Sequence, residues 1–174
     1  MRLFVAAELS APLRRSVAGC ALRVRERLAH AGISAGLRWI PAGNLHLPIW
    51  FLGEVSEARA GAVLEALAPP LPMPAFEVAC EGFGAFPPAG APRVLWMGVS
   101  RGQDALAHAH ELVGARLLPW GFSPEGRAYS AHLTIARVKD AHGRARAIRE
   151  AVAHETCAAG TCTVGELVVF RSRT

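Results

Sequence analysis

Lysine is almost missing from this 174-residue chain: of its 19 basic residues only Lys139 is lysine, and the other 18 are arginine. Against 14 acids this leaves a formal charge of +5. Arginine grips phosphate with two parallel N–H bonds, so an Arg-rich surface suits an anionic partner. A compositional bias towards Arg and towards Ala, of which there are 33, explains the same numbers, so charge alone assigns no function. No apolar run reaches 18 residues, which excludes a membrane-spanning helix. The apolar stretch before Glu8 is too short for the core of a signal peptide. Cysteines are few and scattered (Cys20, Cys80, Cys157 and Cys162) and lack the spacing of a secreted scaffold, so a reducing, cytoplasmic location is the default. His154, Cys157 and Cys162 lack a fourth ligand at usable spacing, so no metal site is expected. Gly82-Phe83-Gly84 is followed by no Gly-Lys-Ser/Thr and reads as a bulge or tight turn, not a phosphate loop.

What the chain does have is an alternation of strand and helix patterns. Arg2 to Glu8 reads as a strand. Ser10-Ala11-Pro12 then starts a helix running to about His30. Segments 37–40 and 45–52 read as strands around the turn cluster Pro41-Ala42-Gly43-Asn44, and a second helix runs from Ser56 to about Ala68. Strands follow at 76–80 and 93–99, then a helix from Gln103 to about Leu118, a strand from Tyr129 to Val138, a helix from Ala141 to His154 and a strand at 166–171. The class is α+β.

One regularity stands out. Asn44-Leu45-His46-Leu47-Pro48-Ile49 resembles Ser130-Ala131-His132-Leu133-Thr134-Ile135, and the two histidines lie 86 residues apart, close to half the chain. Each sits in an apolar strand after a turn, as an internal duplication would place them. Residues two apart on a strand share a face, so His132 and Thr134 point one way while Leu133 and Ile135 point the other. Two such strands facing each other set two imidazoles around one ligand, one able to accept a proton and the other to donate one. A Thr hydroxyl can hydrogen-bond a phosphate oxygen. The other five histidines (His30, His108, His110, His142 and His154) fall in helical, Ala- and Arg-rich surroundings and are expected to be exposed and without a role.

With these motifs the sequence resembles the 2H phosphoesterases, and among them the RNA 2′,3′-cyclic phosphodiesterases of the LigT/ThpR type. The resemblance spans nearly the whole chain. It includes Arg2-Leu3-Phe4-Val5-Ala6, Arg38-Trp39-Ile40-Pro41 leading into Asn44-Leu45-His46-Leu47, Phe51-Leu52-Gly53-Glu54-Val55, Gly84-Ala85-Phe86-Pro87 with Arg93-Val94-Leu95-Trp96, and His132-Leu133-Thr134-Ile135-Ala136-Arg137-Val138. It implies a single domain over residues 1–174, built of two intertwined, pseudo-symmetric α/β lobes whose antiparallel sheets line a central cleft. It implies hydrolysis of an RNA terminal 2′,3′-cyclic phosphate to a 2′-phosphate without metal or other cofactor, and joining of RNA ends through a 2′-5′ linkage in reverse. His46 and His132 match the family histidines. His46 is taken as the acid and His132 as the base, an order the sequence itself does not decide. Thr134 matches the phosphate-binding hydroxyl. Arg137 matches an arginine that strand period sets near the cleft rim, and Phe51 matches an aromatic that can stack on the terminal base. The partner implied is RNA with a 2′,3′-cyclic phosphate end, and a monomer is the default for a domain of this size.

The first motif departs from the family. Pro48 stands where Thr or Ser is the rule, and proline has neither the hydroxyl nor a backbone N–H. Loss of one oxyanion donor costs about 3–4 kcal/mol of transition-state stabilisation. A proline within a strand also points to an edge position or a bulge. Two other readings follow: a non-catalytic module that binds RNA ends or nucleotides, and a phosphodiesterase acting on a small cyclic nucleotide or sugar phosphate.

Overall fold

The mostly apolar segment Arg2–Glu8 forms β1, the central strand of a three-stranded antiparallel sheet flanked by β3 (His46–Glu54) and β8 (Leu167–Ser172). A second antiparallel sheet has the order β2 (Leu37–Trp39), β6 (His132–Val138), β5 (Val94–Arg101), β4 (Phe76–Phe86), β7 (Ala158–Val164). Four helices, α1 (Ala11–His30), α2 (Glu57–Leu67), α3 (Gln103–Leu117) and α4 (Ala145–Ala153), complete the α+β architecture. This computed structural model describes residues 1–172 apart from Glu125, Arg127 and His142.

Helix starts follow the local chemistry. The Ser10 hydroxyl accepts from the Leu13 N–H at 3.3 Å with Pro12 in the first turn, and Ser56 caps α2 through the Arg59 N–H. Helix α1 buries one stripe, Leu13, Val17, Cys20, Val24 and Leu28, at helical spacing. That stripe packs on β7 and α4, in the sheet that does not contain β1, whereas α3 leaves β5 to pack on β3 of the other sheet. The two halves therefore exchange helices. Strands β3 and β6 lie against each other where the sheets meet, and their outward faces form a cleft.

Several expected boundaries shift. Strand β4 is longer than expected, running through Gly82-Phe83-Gly84 to Phe86 with a register break between Cys80 and Phe83. Strand β6 begins at His132 and not at Tyr129, and α4 begins at Ala145 and not at Ala141, with His142 outside the described residues. Strand β7 is absent from the sequence reading because Ala158–Val164 is small and polar, without bulky alternation; pairing with β4 makes it a strand. Cys20 and Cys157 form a disulfide between α1 and the approach to β7, while Cys80 and Cys162 are free and buried. This pairing departs from the expectation of scattered cysteines in a reducing compartment, since a separation of 137 residues carries no local signal.

Candidate active site

Strand β6 does not alternate strictly. Against β5 its partners run His132↔Gly98, Leu133↔Met97, Thr134↔Trp96, then Ala136↔Leu95 and Arg137↔Val94, so Ile135 is an extra residue. Period-2 alternation would turn Arg137 away from His132 and Thr134. The bulge restores it to their face, while Leu133, Ile135, Ala136 and Val138 are buried on the other. This corrects the simple strand-period placement of Arg137. The extra carbonyl is not wasted: Ile135 O accepts from the Ile40 N–H at 2.9 Å, just beyond β2.

Strand β3 repeats the device. It pairs Glu8↔His46, Ala6↔Pro48, Val5↔Trp50 and Phe4↔Phe51, which makes Ile49 the extra residue. His46, Pro48 and Phe51 thus occupy the same positions in β3 as His132, Thr134 and Arg137 in β6. Pro48 sits on an edge strand beside a bulge, where a missing N–H breaks no central ladder. Its side chain is buried, whereas Phe51 is 48 % exposed in the cleft.

Both imidazoles are held in the same way. His46 Nδ1–H donates to the Asn44 carbonyl at 2.8 Å, and His132 Nδ1–H donates to the Ser130 carbonyl at 2.7 Å, in each case two residues back. A carbonyl only accepts, so Nδ1 carries the hydrogen in each ring. Aromatic rings brace each. His46 lies against Phe4 (4.8 Å between centroids) and Phe170 (5.7 Å), and His132 meets Phe86 edge-on at 5.0 Å. Phe4 and Phe86 fall within the resembling segments, which imply no role for them, and Phe170 lies in none of them; Phe4 and Phe170 are cross-strand partners on β1 and β8. On the other wall Trp96 lies flat on Gly84, where a Cβ would meet the indole at 2.1 Å.

The two half-sites are electrically and mechanically coupled. Burial holds the His46 imidazole below its usual pKa, the Asn44 carbonyl opposes this, and the Arg137 guanidinium from the other sheet lowers it further. Tyr129 donates its hydroxyl to the Pro48 carbonyl at 3.0 Å. The Tyr129 ring stacks on His110 at 4.6 Å, and His110 packs on Trp50 at 4.8 Å. His110 is therefore not the exposed helical histidine the sequence suggests, and burial lowers its pKa. Gly114 of α3 lets Trp50 approach, since a Cβ there would stand 2.7 Å from the indole. A separate pocket of about 310 Å³, lined by Gln103, Asp104, Ala107, Tyr129, Ser130 and Ala131, lies behind the His132 segment. Among the described residues no cluster of three or more His, Cys, Asp or Glu is arranged to hold a metal ion, and no helix is long and apolar enough to cross a membrane.

Comparison with known proteins places the chain in a family and a fold. An RNA 2′,3′-cyclic phosphodiesterase of Aeropyrum pernix is 37% identical over 119 residues, covering 68% of this chain and 66% of that protein. The protein of the same name from Archaeoglobus fulgidus is 35% identical over 139 residues, covering 80% of this chain and 73% of its own length. In fold, the chain superposes on a Thermus thermophilus protein with TM-score 0.76 at 22% identity, over 99% of this chain and 89% of that one. It superposes on Escherichia coli LigT complexed with 3′-AMP with TM-score 0.68 at 22% identity, over 99% and 90% of the respective chains. The model of the 2′-5′ RNA ligase superfamily matches residues 22–174, a span that contains both histidine strands, and the chain belongs to that family.

Proposed function

We propose that the protein hydrolyses a terminal RNA 2′,3′-cyclic phosphate to a 2′-phosphate by two-histidine acid–base catalysis. The observation that carries this reading is the repeated half-site: two imidazoles on equivalent bulged strands, each oriented by an Nδ1–H bond to the carbonyl two residues before it. Water oxygen adds to phosphorus, the P–O3′ bond breaks, and the O2′–P bond stays. One imidazole takes the water proton on Nε2, while the other delivers its Nε2 proton to the departing O3′. Exchange with solvent then resets both rings. The Thr134 hydroxyl and Arg137 guanidinium hold the non-bridging oxygens, and Phe51 offers its exposed face to the terminal base. This chemistry calls on no metal.

His46 serves as acid and His132 as base in this reading. Free His46 is biased towards the neutral form, so it must be loaded with its proton. A phosphate anion beside Arg137 offsets the guanidinium's repulsion and attracts the imidazolium, so substrate binding itself does the loading. The protein acts as a monomer on RNA ends in the cytoplasm. The Cys20–Cys157 disulfide runs against that location, so counting free thiols in protein extracted with an alkylating agent decides it: four fit the reducing compartment, while only Cys80 and Cys162 free, as in the bridged fold, overturns it. Joining of ends through a 2′-5′ linkage would be the reverse reaction at the same site.

Pro48 favours one rival reading, a module that binds RNA ends without turnover, because the first half-site lacks the hydroxyl that Thr134 supplies to the second. Incubation with a 2′,3′-cyclic-phosphate RNA in the presence of a chelator separates the two. A 2′-phosphate product, lost by about 10²–10⁴-fold in His46→Ala and in His132→Ala with circular dichroism unchanged, is expected. Binding without conversion supports the module, and faster turnover of a cyclic mononucleotide or sugar phosphate than of the oligonucleotide supports a small-molecule substrate.

A further inference from the structure

Several arginines of the basic surface are occupied within the protein. Arg23 and Arg27 hold Glu155 at 2.9 and 3.4 Å, Arg149 binds the Pro87 and Gly90 carbonyls, and Arg116 binds those of Pro69 and Pro70. Arg38 is different. It is the central residue of β2, the edge strand of the five-stranded sheet, and it pairs directly with Arg137 of β6. Directly paired residues share a face, so Arg38 stands on the cleft face beside Arg137, while its neighbours Leu37 and Trp39 pack against the core. Both arginines are exposed, and neither takes part in an ion pair or hydrogen bond among the described residues. Like charges opposed across a ladder are destabilising unless something negative lies over them.

Arg137 belongs to the reacting phosphate, because it shares a face with His132 and Thr134 and its charge acts on His46. Arg38 lies one strand further out, about 4.8 Å away in the pairing direction, at the edge of the sheet. Successive phosphates of one nucleic-acid strand lie somewhat further apart than this, a difference that two long arginine side chains can span. We propose that Arg38 binds the backbone phosphodiester of RNA next to the cyclic end, and so favours an oligonucleotide end over a cyclic mononucleotide. The inference rests on the cyclic-phosphodiesterase reading above and adds a second phosphate subsite to it.

The test compares the intact protein with Arg38→Ala and Arg38→Lys on two substrates: a short RNA ending in a 2′,3′-cyclic phosphate, and 2′,3′-cyclic AMP, which has no upstream phosphate. Arg38→Ala should lose about tenfold in kcat/KM on the oligonucleotide, mainly through KM, as expected for one charge-assisted contact. The loss on the mononucleotide should be several-fold smaller, and Arg38→Lys should recover part of the difference. On the oligonucleotide the salt dependence should become shallower by about 0.7 in log–log slope, the share of one single-strand phosphate contact. Equal losses on both substrates, or none on either, overturn the proposal. If the wild-type protein converts neither substrate, the activity reading fails, and fluorescence anisotropy with the same RNA still decides the subsite. The tenfold weakening in Arg38→Ala must then appear in Kd, and its absence overturns the proposal.

Discussion

Tyr129 donates its hydroxyl to the carbonyl of Pro48, 81 residues earlier, and so ties the approach to the second histidine strand to the middle of the first. The bond lies outside the chemistry, yet it fixes where one half-site stands relative to the other. The same ring stacks on His110, which packs on Trp50, so the tie is backed by α3.

Tyr129→Phe keeps the stack and deletes the bond. Stability should fall by about 1–2 kcal/mol, the cost of a part-buried carbonyl losing its donor. Turnover should fall as well, because the histidines lose a shared reference. A denaturant titration run beside the kinetics separates the effects, and a lower midpoint with turnover unchanged would limit Tyr129 to stability.

Pro48→Thr returns to the first half-site the hydroxyl that Thr134 provides in the second. Because Pro48 lies on an edge strand beside a bulge, the change adds an N–H without forcing a central ladder to rearrange. Turnover on a cyclic-phosphate end should rise by about tenfold or more, within the range for one oxyanion donor. A variant no faster than wild type would show that another group already serves in its place.

His46 should change protonation behaviour when the cleft is filled. In the free protein burial and Arg137 hold its pKa below 6.5. A bound 2′-nucleotide places negative charge beside both groups and favours the imidazolium, so the pKa should rise. An NMR titration of the His46 ring with and without the nucleotide reads the shift. A pKa that stays put or falls would remove His46 from the loaded-acid role.

Stability should decline as the solution is acidified from about pH 7. His46 and His110 titrate near 6.5 when unfolded and lower when folded. Between those values the unfolded chain binds more protons, so stability is fully present above the unfolded value and is lost as pH falls through the folded one. Melting temperature should drop between pH 7.5 and 5.5, and His110→Phe, which keeps an aromatic ring between Trp50 and Tyr129, should reduce that drop. An identical drop in the variant would mean His110 contributes nothing to it.

Reduction of Cys20–Cys157, or Cys20→Ser, should lower stability by about 2–4 kcal/mol, the usual worth of a bridge closing a long loop. Glu155 beside it still joins Arg23 and Arg27 of α1, so the native fold should persist at ambient temperature. Equal unfolding midpoints with and without reductant would contradict this.

The sequence made the histidine strands legible because a repeated motif at half-chain spacing survives the loss of any one residue, Pro48 included. It also showed most helix limits, since Ser10 and Ser56 act locally. What it concealed depends on pairing between distant segments. The extra residues Ile49 and Ile135 are extra only against β1 and β5, yet they decide where Phe51 and Arg137 point. The small residues of β7 become a strand only beside β4, and His110 looks like a surface histidine until Trp50 and Tyr129 enclose it. The facing of Arg38 and Arg137 likewise exists only across a ladder.

The exchange of helices between the sheets bears on how the molecule could move. Helix α1 leaves the small sheet to lie on the large one, and α3 makes the opposite crossing. Any hinge that spread the cleft along the seam of β3 and β6 would have to drag both crossings at once, so neither half can swing alone. On the function proposed above, an RNA end would meet a jaw whose two sides are strapped together, and selection would fall on what fits between the two imidazoles.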